Sequence, residues 1–201
     1  NKIKSFKSRA LVRHCLLVMV GMLCALPSWA FEVVVNGVKY EVNKQERKAV
    51  VVGLADRNSS TMEIQEKVRG YIVSEIKSNA FRNCSLESIT IPASAFNIGV
   101  HAFFNCSSLK SIKMTDSNYS QDYNYSIGDE AFYYCRSLTS INIPSSVTSI
   151  GNGAFKDCHS LTSINIPSSV TSIGNEAFSD CRSLASINIP SSVTSIGDRT
   201  F

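Results

Sequence analysis

Three near-copies of one 23-residue phrase end the chain, at residues 127–149, 150–172 and 173–195. Each copy reads approximately I-G-x-x-A-F-x-x-C-x-S-L-x-S-I-x-I-P-S-S-V-T-S. A unit this short cannot bury an apolar face by itself, so it must stack against the next copy. The repeat therefore predicts a solenoid in which each copy forms one coil around a shared core.

The phrase also occurs, less regularly, before the three clear copies. Repeat one covers residues 76–97, with Lys77 in place of the glycine and one residue missing after Cys84. Repeat two starts at Ile98, lacks the proline and ends in an expanded loop. Residues 196–201 begin a sixth copy that stops in mid-phrase. We expect five repeats plus a partial sixth, in a truncated sequence whose natural array continues.

The second half of the phrase predicts one short strand per repeat. Leu161, Ile164 and Ile166 alternate so that the isoleucines face one side, and stacked copies would pair as a parallel sheet. Pro167 ends this strand because it has no N–H for the sheet. Val170 then begins the return of the chain along the far wall.

The first half of the phrase predicts a bend and a short turn. Gly174 permits the sharp bend. Ala177, Phe178 and Cys181 follow at a spacing that suits one inward-facing helical or 3-10 turn. Each coil would thus add one phenylalanine, one thiol and several aliphatic groups to a continuous core.

The phrase resembles the BspA-like class of leucine-rich repeats over residues 76–201. The resemblance implies an α/β, β-rich solenoid with short parallel strands and short helical or 3-10 turns. It further implies a bacterial secreted or cell-surface protein that works in adhesion, with host extracellular-matrix proteins among the expected partners.

Residues 1–30 have the composition of a signal peptide, with five basic residues, an apolar stretch at 16–26 and small residues before Phe31. We predict cleavage before Phe31; an uncleaved membrane anchor is the alternative.

The pattern of residues 31–75 predicts β-structure, with a hairpin turn at Asn36-Gly37 and strands at 48–54 and 69–73. This segment is predicted to be an N-terminal β cap, with an independent small domain as the alternative.

Charge gives no reason to expect an anionic partner. All charged residues in the predicted signal are basic, so the mature chain keeps 15 of the 20 Lys and Arg residues against 16 Asp and Glu. The composition therefore does not favour nucleic acid. Membrane contact is expected only through the signal peptide or through an anchor beyond the given sequence.

One cysteine recurs in each coil, at Cys84, Cys106, Cys135, Cys158 and Cys181. Export would favour disulfides, but the number is odd and stacked coils hold equivalent residues about 4.8 Å apart, slightly beyond the usual Cβ separation of a disulfide. We expect buried packing thiols, with disulfides as the open alternative.

No catalytic motif or cofactor site is evident, and we expect no enzymatic activity. The cysteines lack the histidine or second-cysteine spacing of a metal site within a coil. The only histidines after the predicted signal are His101 and His159, and His159 directly follows Cys158. Side chains adjacent in sequence tend to point apart, and a buried thiol is inert.

Two features are candidate binding sites. Outward positions of the predicted strands form polar ladders, in which Glu87, Lys110 and Lys113 stand out from uniform Ser, Thr and Asn. The expanded loop at 115–126 carries Tyr119, Tyr123 and Tyr125. A merely solvated surface is the alternative for both features, and it is the preferred interpretation of the uniform Ser and Asn ladders; recognition is expected rather at the first two coils.

The sequence therefore predicts an exported, non-catalytic recognition module that binds an extracellular protein or glycan at the cell surface. The main alternative is a structural spacer that carries a missing C-terminal domain. A thiol-dependent enzyme is a third reading.

Overall fold

A computed structural model describes residues 30–115 and 124–201. The predicted signal peptide lies outside these residues except for Ala30. Fifteen strands occur in chain order: β1 Ala30–Val35, β2 Val38–Asn43, β3 Lys48–Leu54, β4 Thr61–Glu63, β5 Lys67–Val68, β6 Tyr71–Ile76, β7 Ser88–Ile91, β8 Asn97–Ile98, β9 Ser111–Met114, β10 Tyr125–Ile127, β11 Ser140–Asn142, β12 Val147–Ile150, β13 Ser163–Asn165, β14 Ser172–Ile173 and β15 Ser195–Ile196. Among the described residues, the one helical segment is a 3-10 turn at Ala93–Ala95.

The strands form two walls of the solenoid, which we call sheet A and sheet B, and the strands of successive coils run parallel within each wall. Sheet A has the order β1-β2-β3-β6-β8-β10-β12-β14-β15, with β5 beside β6, and sheet B has the order β13-β11-β9-β7-β4. The predicted strand of each repeat lies in sheet B, where Ile141 pairs with Ile164 in register. Sheet A adds a second set of short strands on the return path, where Ile150 pairs with Ile173. The predicted solenoid is confirmed.

The N-terminal hairpin is also confirmed. Asn36 and Gly37 both have positive φ, at 49° and 79°, as a type I′ turn requires, and they join β1 to β2. Strand β3 pairs antiparallel with β2 and parallel with β6. The hairpin therefore continues sheet A and covers its first strand edge.

Strand β4 is not predicted by the sequence, because the polar run at residues 56–61, which indicates a loop, extends into its first residue. Met62 is buried and pairs with Ile89 of β7, so β4 starts sheet B one strand earlier than the first repeat. Three residues give too short an alternation to be recognised without the neighbouring strand.

The core is a continuous column between the walls. Phe81, Phe103, Phe132, Phe155 and Phe178 are buried and stack on one another with ring centroids 4.9 to 5.5 Å apart and planes within 15°. Stacked rings at this spacing add to the stabilisation from apolar burial. The five cysteines are buried beside them.

The turn segments between the walls are hydrogen bonded in two directions. In the fourth coil the N–H groups of Gly153, Phe155 and Asp157 donate to carbonyls of the next coil at 2.8 to 2.9 Å. The N–H groups between them donate within their own coil, three residues back. Gly153 and Asp157 have φ near +60°, which lets successive N–H groups point alternately along and across the solenoid axis.

These turns refine the predicted helical or 3-10 turn. The hydrogen bonds within each coil have 3-10 spacing, but two left-handed residues interrupt every turn. The left-handed positions recur in the other coils at Asn79, Asn83, His101, Asn105, Glu130, Tyr134, Glu176, Asp180 and Arg199. We call the outer surface of these segments the turn wall.

Candidate recognition surface

The sequence-predicted residues of sheet B lie together on its outer surface. Lys110 Nζ is 2.8 Å from Glu87 Oε2, and the two side chains are 61% and 51% exposed. Lys113 is exposed on β9 and pairs in register with Thr90. The ion pair largely cancels two of the three charges, and an exposed pair of this kind contributes little to stability. Of the three predicted residues, Lys113 therefore keeps the charge that the ion pair does not cancel, and Glu63 of β4 is exposed in the same row, on the other side of Thr90.

Tyr125 lies apart from these residues. It belongs to β10 in sheet A, and its ring meets the buried Phe96 ring edge-on at 5.9 Å. Its ring is half-buried and packs against the core. Tyr119 and Tyr123 lie outside the described residues, so the structure does not test a shared tyrosine site.

The turn wall carries an aromatic cluster that was not predicted. Phe104, Tyr133 and Tyr134 project outward from the second and third coils and are each half-buried; we call them the aromatic patch. The Phe104 ring meets Tyr133 edge-on at 5.3 Å and Tyr134 edge-on at 6.2 Å. The two tyrosine rings stack at 4.1 Å. The edge-to-face arrangement fixes the ring positions relative to one another.

Cationic side chains border the aromatic patch. The Arg82 guanidinium lies 4.2 Å from the Phe104 ring centre, and the Arg136 guanidinium lies 4.9 Å from that of Tyr134. Lys156 Nζ lies 5.8 Å from the Tyr133 ring and also pairs with Glu176. These cation–π contacts hold the edges of the patch in place while leaving the charges near the surface.

Hydrogen bonds further organise the patch. His101 Nε2 lies 3.0 Å from Glu130 Oε2, which connects the second coil to the third, and the His101 ring packs edge-on against Phe104. A hydrogen bond with Tyr134, assisted by burial, raises the pKa of Tyr133 above its ordinary value.

A signal for the patch does exist in the sequence. Its residues occupy the two positions before each cysteine, where the fourth and fifth coils have Lys156-Asp157 and Ser179-Asp180. Aromatic residues at variable, otherwise polar positions indicate an exposed aromatic surface. The predicted helical turn did not specify which of these positions face outward.

A column of polar side chains runs beside the patch on the turn wall. Asn152 Oδ1 accepts the backbone N–H of Asn175, and Asn175 Oδ1 accepts that of Asp198. In the same way, Asp129 Oδ1 accepts the backbone N–H of Asn152 at 2.7 Å. These side-chain oxygens accept backbone N–H groups for which the turns provide no carbonyl partner. The column therefore has a structural role.

A groove of about 550 Å³ follows the glycine positions of sheet A, beside Ser149, Gly151, Ser172 and Gly174. The glycines are required by close approach between coils rather than by the bend itself. A Cβ on Gly174 would lie 2.5 Å from the backbone N of Asn152. The first coil tolerates Lys77 because cap strand β3, not another coil, precedes it, and the Lys77 N–H donates to Val51.

A second groove, of about 590 Å³, lies at the cap end. Lys44, Arg47, Arg69 and Tyr71 line it. Its basic side chains are exposed and give it a local positive charge, although the predicted mature chain has nearly balanced charge.

The buried thiols are unsuited to nucleophilic chemistry. Cys135, Cys158 and Cys181 each lie 3.1 to 3.3 Å from the carbonyl oxygen of the core phenylalanine in the preceding coil. Burial raises the pKa of all three thiols, that of Cys181 to about 11. Within residues 30–115 and 124–201, no group of three His, Cys, Asp or Glu side chains could hold a metal ion.

Taken together, the coils, the two parallel walls and the stacked core define a leucine-rich-repeat solenoid. A family model of the BspA type leucine rich repeat region matches six copies, over residues 60–126 and 74–201. The chain belongs to this family, as the repeat phrase predicted. The match indicates no enzymatic family.

Solved structures of bacterial leucine-rich-repeat proteins have the same fold. A leucine rich cell surface protein of Faecalibacterium prausnitzii is 30% identical, with a TM-score of 0.60, over 85% of this chain and 52% of that one. The pneumococcal vaccine antigen PcpA is 26% identical, with a TM-score of 0.63, over 83% of this chain and 46% of that one. This chain thus spans about half the length of either protein. No match is found among curated proteins.

A Treponema pallidum leucine-rich-repeat protein aligns over 83% of this chain and 86% of its own length, with a TM-score of 0.65. At 24% identity this likeness shows the fold alone. Among the described residues of the present chain, none forms a helix with the length and apolarity needed to cross a membrane.

Proposed function

We propose that this chain is an exported, non-catalytic recognition module of the cell surface that binds an extracellular protein or glycan through the aromatic patch. The observation that carries the proposal is the outward cluster of Phe104, Tyr133 and Tyr134. Tyrosine and arginine are enriched among the residues that dominate binding energy, because they combine a large contact area with polar groups.

The rigidity of the turn wall supports this role. Phe104 and Tyr133 follow the buried Phe103 and Phe132, whose N–H groups donate to the next coil at 2.8 Å. A side chain held on such a backbone loses little conformational entropy when it binds a ligand. Arg82 and Arg136 add donors at the border of the patch, where they can reach carboxylate, hydroxyl or carbonyl groups of a partner.

Cell-surface location is supported by the relatives, one of which is described as a cell surface protein and another as a vaccine antigen. The basic and apolar residues 1–30 support export with cleavage before Phe31. Attachment to host matrix proteins remains the specific form of adhesion that we propose to test first.

The test measures binding of the purified chain to immobilised matrix proteins and to a glycan array. A double variant, Tyr133→Ser with Tyr134→Asp, introduces the residues that the fifth coil has at these positions. We expect saturable binding by the native chain and a dissociation constant at least 10-fold higher for the variant. The control variant is Thr162→Ala with Asn165→Ala, on the exposed surface of sheet B in the fourth coil.

Absence of saturable binding by the folded chain would contradict the proposal. Equal binding by the native chain and the double variant would show that the ligand does not bind through the tyrosines of the aromatic patch. In that case Lys113→Ala would test the sheet B surface, and Tyr119 and Tyr123 would be substituted together to test the expanded loop, whereas Tyr125 is left in place because it packs against the core.

The spacer alternative is favoured by one observation. In the third and fourth coils, the outer surface of sheet B presents short hydroxyl and amide groups at Thr139, Thr162, Asn142 and Asn165, and all four side chains are exposed. Such a surface is well solvated and offers no distinctive contact. A spacer predicts that none of the substitutions above changes any interaction of the intact protein.

A further inference from the structure

The thiols of the first two coils form a pair that the other coils do not repeat in the same way. Cys84 Sγ lies 2.8 Å from Cys106 Sγ, and both side chains are buried, at 5% and 0% exposure. The separation exceeds the length of an S–S bond by less than about 1 Å. Small side-chain rotations would bring the two sulfur atoms to bonding distance.

The first coil differs from the others in two ways that explain this approach. From the second coil on, each thiol faces the phenylalanine carbonyl of the preceding coil, and Cys106 faces that of Phe81 at 2.9 Å. Cys84 is in the first coil, where the cap precedes it and no equivalent carbonyl is among its described contacts. Its sulfur is directed toward Cys106 instead.

The second difference is the missing residue after Cys84. Later coils have two residues between the cysteine and the leucine, and the leucine N–H donates to the cysteine carbonyl, as Leu109 does to Cys106 at 3.0 Å. In the first coil Leu86 follows after a single residue, and its backbone N–H faces the Cys84 sulfur. The shortened turn therefore orients the Cys84 thiol differently from the later ones.

We infer that Cys84 and Cys106 form a disulfide that joins the first coil to the second in the exported protein. The inference rests on the export part of the proposed function, since disulfides persist in oxidising compartments. A single pair is compatible with the odd cysteine number, since Cys135, Cys158 and Cys181 then remain buried thiols beside carbonyls of the preceding coil.

The reaction is a thiol–disulfide exchange with a disulfide-bearing oxidoreductase or a small disulfide. The Cys84 thiolate attacks the oxidant's disulfide and releases one oxidant thiolate, which gives a mixed disulfide. The Cys106 sulfur then attacks Cys84 Sγ and releases the second oxidant thiolate. The two protein thiols lose two protons and two electrons, and the oxidant becomes a dithiol or two thiols. Because both residues are buried in the folded chain, the exchange occurs before the first coils close.

In the folded chain the two thiols differ in acidity. The hydrogen bond with Cys106, together with the Leu86 N–H, lowers the pKa of Cys84 against the opposing effect of burial. The same thiol contact and burial raise the pKa of Cys106. Once the coils have closed, Cys84 is therefore the more acidic of the two thiols.

The test uses the predicted mature chain, residues 31–201, so that Cys15 and Cys24 are absent. It is unfolded and reduced, and then refolded in a buffer of oxidised and reduced glutathione. Free thiols are alkylated in denaturant, and the chain is cleaved with a glutamyl endopeptidase. Glu87 lies between the two cysteines, so cleavage there separates them unless a disulfide holds the peptides together. We expect one linked peptide pair containing Cys84 and Cys106, which separates on reduction, and full alkylation of Cys135, Cys158 and Cys181.

Two variants provide the comparison. Cys84→Ser should leave Cys106 alkylated, whereas Cys158→Ser should form the same linked pair as the native chain. The peptide analysis of the native chain tests the disulfide by itself, even if a variant folds poorly. Alkylation of both Cys84 and Cys106 in the oxidised, folded chain would overturn the inference, and so would a link from Cys106 to Cys135.

Oxidation should also raise the urea midpoint of the native chain relative to its reduced form, because the crosslink restricts the unfolded state. An unchanged midpoint of a chain that carries the link would exclude a stabilising role. Because the glutathione experiment requires no ligand and no export, its outcome is independent of whether the chain binds a partner.

Discussion

The side-chain oxygen of Asn152 accepts the backbone N–H of Asn175 at 2.8 Å, from one coil to the next. Asp129 and Asn175 repeat this contact in neighbouring coils. The interaction uses a side chain to satisfy a backbone donor at the start of each turn, where the sheet A ladder ends. A polar residue that looks like part of a solvated surface thus connects consecutive coils.

Asn152→Ala should destabilise the solenoid by about 1 kcal/mol, because it removes the acceptor of the Asn175 N–H. Part of the loss is offset by water, since Asn152 is exposed. The control is Asn165→Ala on the outer surface of β13, which should change stability by less than about 0.5 kcal/mol. Urea unfolding followed by circular dichroism measures both, and equal stability of the two variants would contradict a structural role for the column.

Phe155→Ala should cost about 3 to 5 kcal/mol, because the ring is fully buried and stacks between two others. Phe155→Leu retains more of the buried volume and should cost less. The measurement is the shift in urea midpoint, with near-ultraviolet circular dichroism as a check on core packing. A cost for Phe155→Ala below about 1 kcal/mol would mean that the rings do not form the core.

Gly151→Ala should destabilise the chain by about 1 to 3 kcal/mol, because the new methyl group would overlap backbone of the preceding coil. The added carbon would lie 2.6 Å from Asp129 N and 2.7 Å from Gly128 C. Gly153→Ala is the matched control, since its φ of 57° is also adopted by Glu130 and Glu176 in neighbouring coils. We expect a cost near 1 kcal/mol for the control, because a left-handed alanine is only mildly unfavourable.

The comparison of the destabilisation caused by Gly151→Ala with that caused by Gly153→Ala distinguishes the two explanations. If Gly153→Ala proved more destabilising than Gly151→Ala in thermal unfolding, backbone conformation rather than contact between coils would explain the repeated glycine.

Stability should fall between about pH 9 and pH 11 because of the buried thiols. Burial raises the pKa of Cys181 to about 11, whereas an unfolded cysteine titrates near 8.5. In this window the unfolded state releases a proton that the folded state keeps, so rising pH favours unfolding by up to about 1.4 kcal/mol per pH unit for each such thiol. Below pH 8 the thiol is protonated in both the folded and the unfolded state, so its contribution to stability is fully present.

Cys181→Ala should show a shallower loss of stability between pH 8 and pH 10.5 than the native chain, although it starts from a lower value. Urea midpoints at several pH values measure the two slopes. Identical slopes would show that other groups, such as the lysines, cause the alkaline destabilisation.

Much of the fold could be predicted because the repeat specifies both period and burial. The phrase places Phe155, Cys158, Ile164 and Ile166 in the interior, and all four are buried. The hairpin at Asn36 was equally clear, since a two-residue turn is a local property of the chain. Strand β4 was missed because its burial depends on β7, whose paired residues lie 27 positions further along the chain.

The predicted binding residues show the limit of this reasoning. Glu87 and Lys110 were correctly assigned to one outer surface, but alternation could not reveal that they pair with each other. The aromatic patch was missed because the turns contain left-handed residues such as Tyr134, which change the side-chain directions from those of a helical turn. No periodic rule gives those directions.

The sequence by itself determined the stacking of coils, because each repeat exposes an apolar face that only the next repeat can cover. The tertiary structure alone decided which side chains of neighbouring coils meet outside or at the ends of that core. The Asn152 contact, the aromatic patch and the Cys84–Cys106 approach each depend on the distance and offset between two coils. These quantities are set by the packing of the whole stack, and a single repeat does not contain them.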